Sequence, residues 1–239
     1  MIGLFACGHC GGRSERVNYQ FNFAPVINNF DQLIYGALIT IQLSFGAILI
    51  GTLIAVPCAA AKTAGIKPLA WLVNIYIEVI RNTPFLVQIF FIYFSLPALG
   101  IRFDPNTAAL VALSVNVGAY ATEIVRAGIE SINRGQVEAG KALGLKGHQI
   151  FRYIILKPAI RTIYPALTSQ FIYLMLTSSV VSAISATDLA AAGNNIQSAT
   201  FAAFEVYLVI TVMYFILSLG FSGLFSAIGR TAFRYPLAR

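Results

Sequence analysis

Five stretches of the chain carry no formal charge over 18 to 30 residues: Gln32–Ala61, Asn82–Ile101, Pro105–Thr122, Thr162–Thr187 and Val206–Gly229. A helix needs about 20 predominantly apolar residues to cross the hydrocarbon core of a bilayer. No other property of the sequence restricts its fold as strongly. In lipid, every backbone N–H and C=O must be paired within the protein, so continuous runs of this length become helices. A transmembrane barrel would show short alternating segments instead. Only 10% of the residues are charged, against about 25% in a soluble domain. The expected fold is an all-α integral membrane protein with about five transmembrane helices.

The net charge of +7 does not point to nucleic acid, because its distribution follows the spans. With five crossings the loops alternate sides, and 13 of the 16 Lys and Arg residues fall on one side. Such an excess marks the cytoplasmic face. The N-terminus is then outside and the C-terminus cytoplasmic. Part of the basic charge also suits contact with anionic lipid heads. Residues 1–30 are expected as an outer tail, 31–235 as the membrane domain, and 127–161 as a cytoplasmic loop. A first span starting near Asp31 lies too far in for an ordinary cleaved signal peptide and is expected to remain as an anchor.

Two short motifs are decoys. Cys7-Gly-His-Cys10 has thiol–disulfide spacing, but lacks the apolar period and sheet context that would lower a thiol pKa. Gly135-Gln-Val-Glu-Ala-Gly140-Lys141 nearly spells a phosphate-binding loop. That loop requires a preceding strand and a Ser or Thr after the Lys, and Ala142 follows here. No nucleotide motif, metal-ligand cluster or catalytic constellation is evident, and no cofactor is expected. Cys58 reads as a small core residue.

Between the first and third spans the sequence is ambiguous. Pro68–Ile80 is apolar but holds Glu78, and Arg81-Asn-Thr-Pro84 follows. Either a short inner helix precedes a span from Pro84 to about Leu99, or one long helix kinks at Pro84. Glu78 and Arg81, three apart, can pair on one face, as can Glu123, Arg126 and Glu130. Near the outer end, Gly193-Asn-Asn195 reads as a turn in a re-entrant or interfacial stretch over 189–204.

The segment 127–161 is basic, yet it carries Val137, Leu143, Leu145, Ile150, Ile154 and Leu156 among its glycines. The pattern predicts a short amphipathic helix over Gln136–Leu145, a turn over Gly144–Gly147, and a second helix entering the membrane. Helices this short are marginal alone, so the segment is expected to dock on something.

Here Glu138-Ala139-Gly140, three residues, Gly144, nine residues, then Ile154-Ile-Leu156 with Pro158 resembles the cytoplasmic signature of ATP-binding-cassette importer permeases. The family pattern is E-A-A, G and I-x-L-P; Gly140 replaces the second Ala, and Lys157 displaces the Pro by one place. Asn116-Val-Gly-Ala-Tyr120, Arg81-Asn-Thr-Pro84, Val87-Gln-Ile-Phe-Phe-Ile-Tyr93 and Phe204-Glu-Val-Tyr207 are similar to the polar amino-acid branch, which handles histidine, glutamate, glutamine, arginine and opines. The resemblance spans about residues 30–235. It implies a type I importer fold and a coupling helix seated in a groove of a separate ATPase. Glu138, Ala139, Gly140, Lys141, Leu143, Gly144, Leu145, Ile154, Leu156 and Pro158 would form the coupling element. It further implies two ATP-binding subunits, a second identical or homologous permease subunit, and a periplasmic substrate-binding protein. The chain would not itself be an enzyme, and its place would be the inner (plasma) membrane of a bacterium. Many members place an acidic residue just before the Ser-rich outer stretch, where this chain has Thr177-Ser-Ser179.

Polar residues within spans are suspects for a transport path: Asn116, Ser179, Ser182 and Glu205. Glu205 could meet a substrate ammonium or fix the outer loop. The serines and Asn116 can equally bond neighbouring helices. A stand-alone secondary carrier or channel is the alternative. It would usually need buried acids or histidines in mid-span, and none is clearly placed there.

Overall fold

The structure, a computed structural model, describes residues 21–232. Cys7, Cys10 and most of the expected tail lie outside that range, as do Arg234 and Arg239. Helix α1 (Ala24–Asn28) leads into α2 (Phe30–Thr63), α3 (Lys67–Arg81), α4 (Phe85–Leu99) and α5 (Pro105–Glu130). After α6 (Arg134–Ala142) come α7 (Gly147–Ile184), α8 (Leu189–Thr200) and α9 (Ala203–Ala232). Four of these, α2, α5, α7 and α9, are long and apolar enough to cross a membrane. The pair α3 and α4 makes a fifth span broken by a bend of 107°.

That bend resolves the ambiguity before Pro84. Of the two expected readings, the short helix followed by a separate helix after Pro84 holds: α3 ends at Arg81 and α4 starts at Phe85, so no long helix continues through a kink. Pro84 is extended, with ψ 137°, as the residue that caps α4. Its missing N–H and the steric restriction it places on Thr83 stop α3. The Gln88 side chain then closes the break: its Nε2 donates to Ile80 O at 2.7 Å and to Thr83 Oγ1 at 2.9 Å. Glu78 and Arg81 do not pair. Glu78 accepts instead from Asn82 Nδ2 at 2.7 Å, and the Arg81 guanidinium lies 5.4 Å above the Tyr120 ring.

Packing between spans relies on small residues, as expected where lipid removes the hydrophobic drive between helices. At Gly51 of α2 a β-carbon would lie 2.2 Å from Val117 Cγ1 and 3.0 Å from Ser114 O of α5. The helices therefore touch backbone to backbone. The main buried cluster joins α2, α4, α5, α7 and α9 through Leu43, Ile89, Leu113, Leu174, Ile184 and Phe221. A second cluster, around Val26, Leu33, Leu189, Ile196, Val206 and Ile210, lies where α1 and α8 meet α2 and α9. Val26, within the expected tail, is thus part of the packed structure.

The turn expected at Gly193-Asn-Asn195 is absent: these residues lie inside α8. The glycine serves a close contact, not a reversal, because a β-carbon there would sit 1.8 Å from Ile210 Cδ1 of α9. Asp188 caps α8, accepting from Ala191 N at 2.8 Å and from the Tyr214 hydroxyl at 3.1 Å. Thr40 of α2 receives Leu189 N at 3.1 Å. This re-entrant piece is anchored on two spans.

Candidate functional site

At the basic end of the bundle, α5 runs past the apolar zone on a ladder of charge. Glu123 accepts from Arg126 at 2.8 Å, Arg126 also pairs with Glu130, and Lys62 of α2 reaches Glu123 at 2.6 Å. The expected single-helix ladder therefore ties two spans together. One turn beyond, Gly128 admits α7: a β-carbon there would lie 2.0 Å from Ile163 Cγ2. Whatever moves α7 at this level must move α5.

After Glu130 the chain turns and Asn133 caps α6, its side chain accepting from Gly135 N at 2.8 Å. The helix begins two residues earlier than the expected Gln136 and ends at Ala142. Its stop is built from backbone. Gly144 has φ +72°, Leu145 N donates to Gly140 O at 3.1 Å, and Gly144 N donates to Lys141 O at 2.9 Å. This is the two-bond Schellman arrangement, and its left-handed position favours glycine. Nothing lies near a β-carbon added at Gly144. The glycine of the signature is thus required by conformation, not by space.

Gly140 works differently. It is the buried residue of α6, and a β-carbon there would be 2.5 Å from Ile154 Cδ1. Ile154 lies in the π-helical turn Ile150–Ile155 that opens α7. A π turn just before Pro158 has a cause: proline lacks an N–H and clashes with the carbonyl four residues back, and the wider turn accommodates this. Gly140 and Ile154 thus form the contact that fastens α6 to the base of α7, while Leu156 and Pro158 follow on α7 with their side chains exposed. Leu145 tucks in against Gly140, half-buried, while Leu143 stands 80% exposed. Glu138, Ala139 and Lys141 are exposed beside it. The two leucines expected to enter a partner groove have separated: one closes the arm, one is presented.

The four residues expected along a transport path are not brought together. Asn116, midway along α5, donates to Gln88 Oε1 at 3.0 Å and so joins the α3–α4 break. Ser179 and Ser182 bond back to Leu176 O and Ser179 O, each at 2.9 Å, within their own 3-10 turn. Glu205 is buried at the start of α9 and accepts from Asn22 N at 2.8 Å. Gln88 was missed as the partner of Asn116, and Thr83 as a partner of Gln88. Their signal, an Arg81-Asn-Thr-Pro84 break four residues before a lone Gln, is visible in the sequence.

Four apolar crossings, a broken fifth and a rigidly fastened short helix at the basic end define a multi-pass membrane permease of the type I importer fold. Comparison with known proteins agrees. The chain belongs to the family described as binding-protein-dependent transport system inner membrane components, whose profile matches residues 47–234, and it is a permease subunit of an ABC importer. The glutamine transport system permease protein GlnP of Escherichia coli (strain K12) is 37% identical over 206 residues, 84% of this chain and 92% of that protein. The probable glutamine ABC transporter permease protein GlnM of Bacillus subtilis (strain 168) is 34% identical over 201 residues, 84% and 93% of the two chains. A crystal structure of an amino acid ABC transporter with histidines superposes with a TM-score of 0.83 at 38% identity, covering 89% of this chain and 100% of that one.

Proposed function

We propose that this chain forms the membrane path of an ATP-driven importer for polar amino acids and that α6 receives the motion of a separate ATPase. The names of the relatives support the cargo class: two are glutamine permeases, and the arginine transport system permease protein ArtQ of Bacillus subtilis (strain 168) is 32% identical over 199 residues. The observation that carries the coupling role is the state of Leu143: a large apolar side chain, 80% exposed, held on a capped helix end. Together with the capped helix end that presents it, this exposure supports a docking role in which Leu143 enters an apolar groove. Glu138, Ala139, Lys141 and Gly144 surround the contact, and Lys146 extends its rim. Two ATPase subunits would each grip one such arm across a pair of permeases, identical or homologous, while a periplasmic binding protein delivers cargo to the opposite end. The arm is therefore cytoplasmic, the C-terminus is with it, and the N-terminus is outside. Residues 31–235 form the membrane domain and 127–161 its coupling loop. Asn116, with Gln88, lines the path near mid-membrane. Ser179 and Ser182 shape its outer wall, and Glu205 fixes the outer segment through Asn22.

Rigid-body transfer of this kind needs an arm that does not deform, which the Gly128–Ile163 and Gly140–Ile154 contacts provide. The test is reconstitution with and without the ATPase and binding protein, with a cysteine at Lys141 paired against cysteines along the ATPase groove. Uptake should require ATP and the ATPase, and the Lys141 position should crosslink. Concentrative uptake by the chain alone would instead establish a secondary carrier.

A further inference from the structure

Helix α3 divides into three faces. Val73 and Ile77 are buried, and Leu72, Ile75 and Val79 are exposed apolar residues suited to lipid. Between these faces runs a polar stripe: Lys67, Asn74, Glu78 and Arg81, spaced by seven, four and three residues, all exposed. Those intervals place them on one side of a helix. The stripe starts at the basic end and finishes at the α3–α4 break. There the Ile80 carbonyl and Asn116 meet on Gln88, so the top of the stripe is level with the middle of α5. The Arg81 guanidinium reaches one turn back toward the basic end, over Tyr120.

Ionisable side chains at this depth cannot face hydrocarbon without large cost; they face a water-filled route or a partner. Glu78 and Arg81 would be expected to neutralise each other, since side chains three apart lie about 5–6 Å from one another at Cβ. They do not. Glu78 is held by Asn82, and the Arg81 guanidinium rests on an aromatic face with all its N–H groups available. Only Oε2 of Glu78 is taken, by Asn82 Nδ2, so its Oε1 and the Arg81 guanidinium stay open on one exposed face.

We infer that this stripe lines the cargo route and that Glu78 and Arg81 together receive the zwitterionic head of an α-amino acid. The ammonium goes to Glu78 and the carboxylate to the Arg81 fork, which suits a planar two-oxygen acceptor. Recognition at this station is of the head group common to amino acids, with no demand on side-chain charge. Three other acids at or near the spans are engaged elsewhere: Asp188 by Ala191 and Tyr214, Glu205 by Asn22, and Glu123 by Lys62 and Arg126. This inference rests on the importer reading, which supplies the amino-acid cargo.

The test uses the assembled complex, with Cys7, Cys10 and Cys58 replaced by serine and single cysteines introduced at Asn74, Leu72 and Val79. Only a thiolate, which forms in water, attacks a charged methanethiosulfonate reagent and displaces its methanesulfinate, so Asn74→Cys should react at least about tenfold faster than Leu72→Cys or Val79→Cys. A mixture of the standard L-amino acids should slow the Asn74→Cys reaction, and a matched mixture of amino-acid amides should not. Adding Arg81→Gln or Glu78→Gln should abolish that protection, while Arg81→Lys should restore part of it. If Asn74→Cys fails to assemble, Trp71→Cys on the same side takes its place. Equal rates on the polar and lipid faces would overturn the route. Spontaneous disulfide formation between cysteines placed at Arg81 or Glu78 in the two permease subunits would reassign the stripe to a subunit contact. Equal protection by acids and amides, or none, would overturn head-group recognition. ATP-dependent uptake by the unsubstituted complex is measured alongside; its failure removes the importer reading whatever the labelling pattern.

Discussion

The two short helices at opposite ends of the molecule, α6 and α8, are built alike and finished differently. Each has a side-chain cap at its start, Asn133 and Asp188. Each carries a buried glycine pressed against an isoleucine of the following helix, Gly140 on Ile154 and Gly193 on Ile210. Each ends at a residue in the left-handed region, Gly144 with φ +72° and Phe201 with φ +56°. Yet α8 buries Leu189 and Ile196 among α1, α2 and α9, whereas α6 buries only its glycine and leaves Leu143 in the open. Identical local chemistry therefore yields a closed structural piece in one case and an open arm in the other. What separates them is whether the rest of the chain supplies the second surface.

The largest effect should come from breaking the end of the open arm. Gly144→Asp forces a β-carbon into the left-handed region, at a cost of roughly 1–2 kcal/mol, and puts a negative charge at a helix C-terminus where the dipole disfavours it. On a helix of nine residues that is enough to unwind the presented end. Transport in vesicles containing the full complex should fall to background. Membrane insertion and thermal midpoint should barely change, because Gly144 touches nothing within the chain. Uptake at the wild-type level would show that the arm does not depend on its Schellman stop.

A matched pair of leucine substitutions sharpens the contrast. Leu189 is fully buried in the closed helix, so Leu189→Ala should cost about 2–5 kcal/mol of stability, read as a lower unfolding midpoint in detergent. Leu143→Ala should leave that midpoint unchanged. Its effect belongs to binding: losing most of a leucine's burial, worth about 1.5–3 kcal/mol, should weaken ATPase association by about tenfold or more. Equal behaviour of the two variants would erase the distinction between packed and presented surfaces.

The architecture was readable in the sequence wherever the signal was local. Uncharged runs located every span, although α5 and α7 extend beyond theirs to Glu130 and back to Gly147, and Glu138, Gly144 and the Ile154–Pro158 segment marked the arm. Reading failed where a residue's meaning lies far along the chain. Gly193 beside two asparagines looks like a turn, but its reason is Ile210, on the next helix. Glu78 and Arg81 look like an ion pair, but Asn82 and Tyr120 divert them. Asn116 looked like a lone polar residue because Gln88, its partner, sits on the far side of a 107° bend. Leu143 and Leu145 looked equivalent until the backbone turned between them.

The smallest expected effect discriminates between the two glycine contacts themselves. At Gly193 a new methyl would fall 1.8 Å from Ile210 Cδ1 and 3.0 Å from its Cγ1. Ile210 is itself buried in the second cluster, so it cannot swing clear without opening the packing around Val206. Overpacking of this kind costs about 1–3 kcal/mol, and Gly193→Ala should lower the unfolding midpoint accordingly. At Gly140 the nearest atom is Ile154 Cδ1 at 2.5 Å, the far end of a flexible side chain, with Ile150 Cγ1 next at 3.4 Å. Ile154 is only half-buried, so its side chain is less confined than that of Ile210. Alanine also gains helix propensity over glycine by about 1 kcal/mol, which offsets the adjustment. Gly140→Ala should therefore leave both midpoint and uptake close to wild type, restoring the residue that the family signature carries there. A large loss at Gly140 with none at Gly193 would mean that the open arm, not the closed helix, is the more tightly packed of the two.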